Sequence, residues 1–156
     1  MNVLAIGNQK GGTAKTTTAA ALAVLLSRTG QPGHVIDMDP QASLTAAFGQ
    51  NDGEGLLYQA MTQRAALPVV RLSDTLTLTP SSIDLAKGES QFVSETAREY
   101  ILKDCLSKTE LVQGTTVILA SPPSLGRRAV PGPAPATRLG GARGRGRLGV
   151  RGLGRL

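Results

Sequence analysis

The segment Lys10-Gly11-Gly12-Thr13-Ala14-Lys15-Thr16-Thr17 lies between a short apolar run, Asn2 to Gly7, and an Ala- and Leu-rich stretch, Thr16 to Thr29, that stops at Gly30. The apolar run closed by glycine suits a buried parallel strand. The Ala- and Leu-rich stretch suits a helix. Glycines at such a junction let successive backbone N–H groups converge, and the helix start adds partial positive charge, which is the setting a phosphate group needs. There Lys15 would reach the β- and γ-phosphates of a nucleotide, and the Thr16 hydroxyl would ligate Mg2+. Gly11, Gly12, Thr13, Ala14, Lys15, Thr16 and Thr17 are the candidate cradle. The ordinary pattern G-x-x-x-x-G-K-[ST] is not met, because Gln9 and Ala14 stand at its glycine positions. The variant K-G-G-x-x-K-T is met, with an additional lysine at Lys10. With residue usage near 5 to 7%, a chance match is on the order of one in a million per starting point. Ala14 in place of glycine costs little provided its φ is negative.

The rest of the first 126 residues alternates in the same manner. His34 to Met38 reads as a second strand ended by Asp39-Pro40, and Leu76 to Thr79 and Thr115 to Ala120 read as two more. Ala42 to Phe48, Glu54 to Thr62 and Ser94 to Ser107 carry helical patterns, with Gly49 and Gly53 as breakers. Ser81 with Asp84 is placed to cap a helix after Pro80. Strands alternating with helices predict an α/β fold: a P-loop NTPase-like parallel sheet with flanking helices.

Asp37 and Asp39 follow the second strand, and alternation along an extended chain sends both to one face. In open parallel sheets ligands bind beyond the carboxyl ends of the strands, the edge at which the glycine segment also lies. Two carboxylates beside a phosphate site point to Mg2+ or to an attacking water. Without a ligand they would cap the next helix.

The single cysteine, Cys105, lies among Ile101, Leu102 and Leu106 at helical spacing and reads as inert core. No disulfide framework is possible within one chain, which agrees with a reducing, cytoplasmic setting. His34, the one histidine, has no partner motif and reads as structural or exposed. The longest apolar run, Ala19 to Leu26, is far shorter than the roughly 20 residues a bilayer span needs. Met1 to Lys10 carries no signal-peptide pattern, so no membrane or export role is expected.

A formal net charge of +6 suggests nucleic-acid binding until the charge is located. Residues 1–126 hold nine Lys and Arg against eleven Asp and Glu, a net of −2, whereas residues 127–156 hold eight Arg and no acid. The basic character belongs to this tail, built mostly from Gly, Arg, Ala, Pro and Leu, and such a composition predicts disorder. The chain thus divides at 126 into a partial domain and a low-complexity tail. Three origins fit the tail: an out-of-frame product of a GC-rich gene, a basic arm that holds nucleic-acid phosphates, or a plain flexible terminus.

The variant loop resembles the deviant Walker A motif of the ParA, MinD and nitrogenase-iron-protein superfamily. Asp37-Met38-Asp39-Pro40-Gln41 resembles the D-x-D-P-Q motif of its ParA or Soj branch, the partition ATPases that segregate plasmids and chromosomes. Val117 to Gly126, with Pro122-Pro123, resembles the family's Walker B segment, but Ala120 stands where the family has an aspartate. Thr79-Pro80-Ser81 through Asp84-Leu85-Ala86 is similar to its strand-to-helix junction.

The resemblance covers residues 2–126 and implies a sheet incomplete at the carboxyl end. It implies ATP and Mg2+ as cofactors, with Lys10 reaching the partner's phosphates in an ATP-dependent homodimer. Asp39 would orient the hydrolytic water, so Lys10, Lys15 and Asp39 would be catalytic. Thr16 and Asp37 would serve the metal. Partners would be non-specific DNA and a ParB-like protein, in a cytoplasmic, nucleoid-associated setting. Ala120 removes one anchoring charge from the metal, which implies slow or absent hydrolysis. A second reading is a truncated, non-catalytic remnant that binds nucleotide at most, with exposed sheet edges prone to aggregation. A membrane-cycling MinD-like role needs a terminal amphipathic helix that the Gly- and Pro-rich tail does not supply.

Overall fold

The computed structural model describes residues 2–8, 14–51, 53–88, 95–120 and 148–153. In chain order the elements are β1 (Asn2–Asn8), α1 (Lys15–Arg28), β2 (Gly33–Asp37), α2 (Ser43–Ala47), α3 (Leu56–Gln63), β3 (Val70–Arg71), β4 (Leu76–Thr79), a 3-10 helix (Ile83–Lys87), α4 (Glu95–Lys108), β5 (Thr116–Ala120) and β6 (Leu148–Leu153). They form one six-stranded sheet in the order β3-β4-β2-β5-β1-β6. Strands β4, β2, β5 and β1 run parallel, while β3 and β6 are antiparallel additions at the two edges.

The parallel strands are apolar on both sides because helices cover both sides. All five residues of β2 are buried, as are the last four of β5. Alternation along these strands feeds two cores. Ile6, Val35, Leu78 and Ile118 pack with Ala19 and Ala23 of α1 and Leu44 of α2. Val3, Ile36, Val117 and Leu119 pack with Leu57 and Met61 of α3 and with Ile101, Leu102, Cys105 and Leu106 of α4. Ala19 and Ala23 have no exposed area and carry no bulk, so the helix can lie close to the sheet. Helix α1 ends at Thr29, and Gly30 turns the chain at φ 72°, a conformation that costs glycine nothing.

Several expectations meet a different outcome. The 3-10 helix after Pro80 has Ser82 at its N-cap with no side-chain capping bond, and the buried Ser81 hydroxyl has no hydrogen-bond partner among the described residues, so Ser81 does not cap it. Ser81 is instead held by its backbone, its N–H donating to Thr45 Oγ1 and its carbonyl accepting from Gly53 N–H. Within the tail expected to be disordered, Leu148–Leu153 forms β6, pairing from Val3↔Leu153 to Asn8↔Leu148. The physical reason is the open edge of β1, whose unpaired backbone groups accept another strand. Residues 121–147, including most of the Walker B-like run, lie outside the described residues.

His34, which the sequence left open between a structural and an exposed role, is structural. His34 has no exposed area and lies between Thr77 Oγ1, 2.8 Å from Nδ1, and Thr79 Oγ1, 3.0 Å from Nε2. Thr79 Oγ1 donates its own proton to the Pro68 carbonyl at 2.7 Å, so it accepts from His34, which puts the ring proton on Nε2. Nδ1 then accepts from the Thr77 hydroxyl, 2.8 Å away, in preference to the Gly33 carbonyl 3.4 Å from the same hydroxyl. Burial pushes the imidazole pKa down to about 4. Cys105 is likewise fully buried, and burial raises its thiol pKa, as an inert core residue requires.

Candidate nucleotide site

Strand β1 lies between β5 and β6, fifth in the order of six, and α1, the next helix, begins at Lys15. Lys10, Gly11, Gly12 and Thr13 lie outside the described residues; Ala14, Lys15, Thr16 and Thr17 are described. Lys15 and Thr16 are half-buried in the first turn, and Thr17 is exposed. No acidic side chain occupies that turn, which leaves the positive end of the helix uncompensated. Ala14 has φ 44° and ψ 3°, contrary to the expectation of a negative φ. Thr18 N–H donates to its carbonyl at 2.7 Å, closing the first helical turn on a left-handed residue. This position is one that glycine fills without steric cost, and alanine costs about 1–2 kcal/mol there. Ala42, before α2, repeats the conformation at φ 52°.

Asp37 ends β2 and is 1% exposed. Its Oδ2 accepts from Thr45 N–H at 2.9 Å and from the Thr45 hydroxyl at 2.8 Å, and its Oδ1 accepts from Asp39 N–H at 3.1 Å. Burial raises the carboxyl pKa, and the hydrogen bonds from Thr45 and Asp39 work against that rise. Asp37 therefore ties the strand end to the first turn of α2, which is the capping role a carboxylate takes without a ligand. Asp39 lies beyond the end of β2, so strand alternation does not place it. Its Oδ1 accepts from Gln41 N–H at 3.0 Å in a local turn, and the residue is half-buried.

Ala120 pairs in register with Asp37 on one side and Ile6 on the other, and its carbonyl accepts from Met38 N–H at 2.8 Å. It is 7% exposed. The position of the absent aspartate is thus beside Asp37 at the carboxyl edge of the sheet, next to the end of β1. The structure brings Asp37, Asp39, Ala120 and the start of α1 to this edge. Thr45 escaped sequence reading: it is 1% exposed and bonded to Asp37 and Ser81, yet a threonine within a short helix carries no motif signal.

The donors present are hard oxygens: the Thr16 hydroxyl and the carboxylates of Asp37 and Asp39. That chemistry fits Mg2+, although no group of three or more His, Cys, Asp or Glu suited to a metal occurs among the described residues. Such a site would have to draw on phosphate oxygens and water for its remaining ligands, as Mg2+ sites commonly do.

A mostly parallel sheet whose first strand is followed by a helix, with carboxylates at the same edge, defines a P-loop-type fold. Residues 1–131 match the AAA_31 family, described as an AAA domain, and the chain belongs to it. Within that family it is a homologue of the ParA and Soj proteins. It is 33% identical over 129 residues to the chromosome partitioning protein ParA of Myxococcus xanthus, a match covering 80% of this chain and 45% of that one. It is 33% identical over 129 residues to the sporulation initiation inhibitor protein Soj of Bacillus subtilis, covering 80% and 51%. Among solved structures, cobyrinic acid a,c-diamide synthase from Mycobacterium smegmatis, with an ATP analog and magnesium bound, superposes at a TM-score of 0.64 with 36% identity, covering 81% of this chain and 53% of that one. The chain spans about half the length of the relatives it matches. Among the described residues no helix is long and apolar enough to cross a membrane.

Proposed function

We propose that the chain binds ATP with Mg2+ at the carboxyl edge of β1, β2 and β5, as a partition-type nucleotide-binding protein. The observation that carries this reading is the meeting, at one sheet edge, of the α1 start at Lys15 with the carboxylate of Asp37. The backbone of Gly11, Gly12, Thr13, Ala14, Lys15, Thr16 and Thr17 would hold the phosphates. Lys10 and Lys15 would neutralise them, Thr16 and Asp37 would serve the metal, and Asp39 would orient the hydrolytic water.

Hydrolysis would be slow or absent because Ala120 offers no anchoring charge. In a chain of the length of its ParA and Soj relatives, Ala120→Asp should raise turnover, and no gain would count against this assignment. An ATP-dependent homodimer, non-specific DNA, a ParB-like partner and a cytoplasmic, nucleoid-associated setting follow from kinship with ParA and Soj and belong to the same proposal. A second reading, a non-catalytic remnant that only binds nucleotide, is favoured by Ala120 and by the left-handed Ala14.

Thermal melts test binding. ATP·Mg2+ at a hundredfold excess over Kd stabilises a folded chain by about 2.7 kcal/mol. Lys15→Ala should abolish the rise in Tm. An unchanged melt of the wild-type chain at millimolar ATP·Mg2+ would remove this proposal.

A further inference from the structure

Thr45 is a buried side chain that joins three separate parts of the chain beside the candidate site. Its hydroxyl donates to Asp37 Oδ2 at the end of β2, its own N–H donates to the same oxygen from the first turn of α2, and its oxygen accepts from Ser81 N–H just after β4. All three residues are at most 1% exposed. Ser81 is held in turn from the other side, its carbonyl accepting from Gly53 N–H at 2.7 Å.

The arithmetic of acceptors gives this arrangement a consequence. An ionised carboxylate offers about four lone-pair positions. Two on Oδ2 are taken by Thr45 and one on Oδ1 by Asp39 N–H, so Oδ1 keeps a single open acceptor. Rotation of the carboxylate would break both bonds from Thr45 at once, in a buried place where unpaired donors are costly. The open acceptor therefore has a fixed direction. Neighbours that orient a metal's ligands commonly set its affinity by 10- to 100-fold.

We propose that Thr45 is a positioning residue for Mg2+: by saturating Oδ2 it leaves Oδ1 as the one oxygen of Asp37 open to the metal's hydration shell, and it couples that carboxylate to the Ser81 backbone. The proposal rests on the nucleotide-site reading above. The N–H and hydroxyl of Thr45 are already committed to Asp37 and Ser81, so its removal should separate metal affinity from nucleotide affinity.

The 156-residue chain is titrated with a fluorescent ATP analogue in EDTA and then with MgCl2 at a fixed, saturating analogue concentration. Thr45→Val, close in shape but without the hydroxyl, should raise the Mg2+ concentration at half-saturation by about tenfold. Nucleotide affinity in EDTA should stay within about twofold of wild type. Thr45→Ser, which restores the donor and acceptor, should bring the Mg2+ midpoint back to within about threefold of wild type. Thr45→Cys, a weak donor that still occupies the place, should fall between and serves if the valine variant does not melt cooperatively. A folded Val or Cys variant with an unchanged Mg2+ midpoint would overturn the role of Thr45 while leaving the nucleotide site standing. So would equal losses in EDTA and in Mg2+, the mark of a merely structural residue. A wild-type chain that binds no analogue in either medium would overturn the nucleotide-site reading itself, and the role of Thr45 with it.

Discussion

His34 should make the fold sensitive to mild acid, by an amount that follows from its surroundings. The ring is fully buried, donates through Nε2 to a hydroxyl already committed to Pro68, and has a pKa lowered from 6.5 to about 4. An imidazolium there would need an acceptor at Nδ1 as well, where Thr77 now donates. Between pH 6.5 and 4 the unfolded chain binds the proton and the folded chain does not, so stability falls as pH falls through this window and levels off below it. A shift of about 2.5 units corresponds to a loss of about 2 kcal/mol at pH 5 and about 3 kcal/mol at pH 4. Against the 5–15 kcal/mol typical of a domain, that is a large fraction. Urea unfolding at pH 7 and pH 5 measures it, and with a slope of about 2 kcal/mol/M the midpoint should drop by about 1 M. His34→Gln keeps a donor and an acceptor but does not titrate, so its midpoint should change far less. Asp37 contributes with the opposite sign: its raised pKa favours the folded state as pH falls toward 3.8, and stability from that source is lost as pH rises. Both proteins contain Asp37, so the difference between them isolates the histidine. Parallel pH profiles for wild type and His34→Gln would refute the reasoning.

Other expectations concern the backbone and the missing acid. Replacing Ala14 and Ala42 together with glycine should relieve left-handed strain and raise stability by about 1 kcal/mol after glycine's own entropic cost, or about 4 °C in Tm; a lower Tm would contradict the φ values of 44° and 52°. A Cβ at Gly53 would stand 2.7 Å from the Pro80 carbonyl oxygen, so Gly53→Ala should cost about 1–3 kcal/mol in chemical denaturation, and a neutral result would argue against that close approach. Ala120→Asp places a second buried carboxylate in register with Asp37, so it should lower the Tm at pH 7 without metal and give a larger rise on adding ADP·Mg2+ than wild type shows. Equal melts with and without the added charge would refute that neighbourhood.

Sequence alone went far where periodicity and burial agree. Leu76 to Thr79 is a strand at the expected limits, and α1, β2, α4 and β5 fall within a residue of theirs, because continuous apolar runs between Gly and Pro leave few alternatives. It failed where a neighbour decides. Val70–Arg71 is too short to show a pattern and is a strand only because β4 offers an edge. Leu148–Leu153 has a composition unsuited to a core, yet it pairs with the open side of β1. Ser81 and Asp84 have capping chemistry, but the Ser81 backbone was claimed by Thr45 and Gly53, which no local pattern reveals. At the carboxyl edge, the places of Lys15 at the helix start and Asp37 at the strand end were legible from the pattern, whereas Asp39 lies past the strand and alternation did not place it. The conformation of Ala14 and the bonds of Thr45 depend on chain geometry and distant partners.

The central claim is where a nucleotide binds, and amide NMR of the 15N-labelled chain tests it most directly. Adding ATP·Mg2+ should move the amides of Lys15 to Thr18, Asp37 to Gln41 and Thr45, leaving Val70 and Arg71 at the far edge of the sheet in place. Saturating ATP that leaves the first group unmoved, or that shifts only the far edge, would contradict the account.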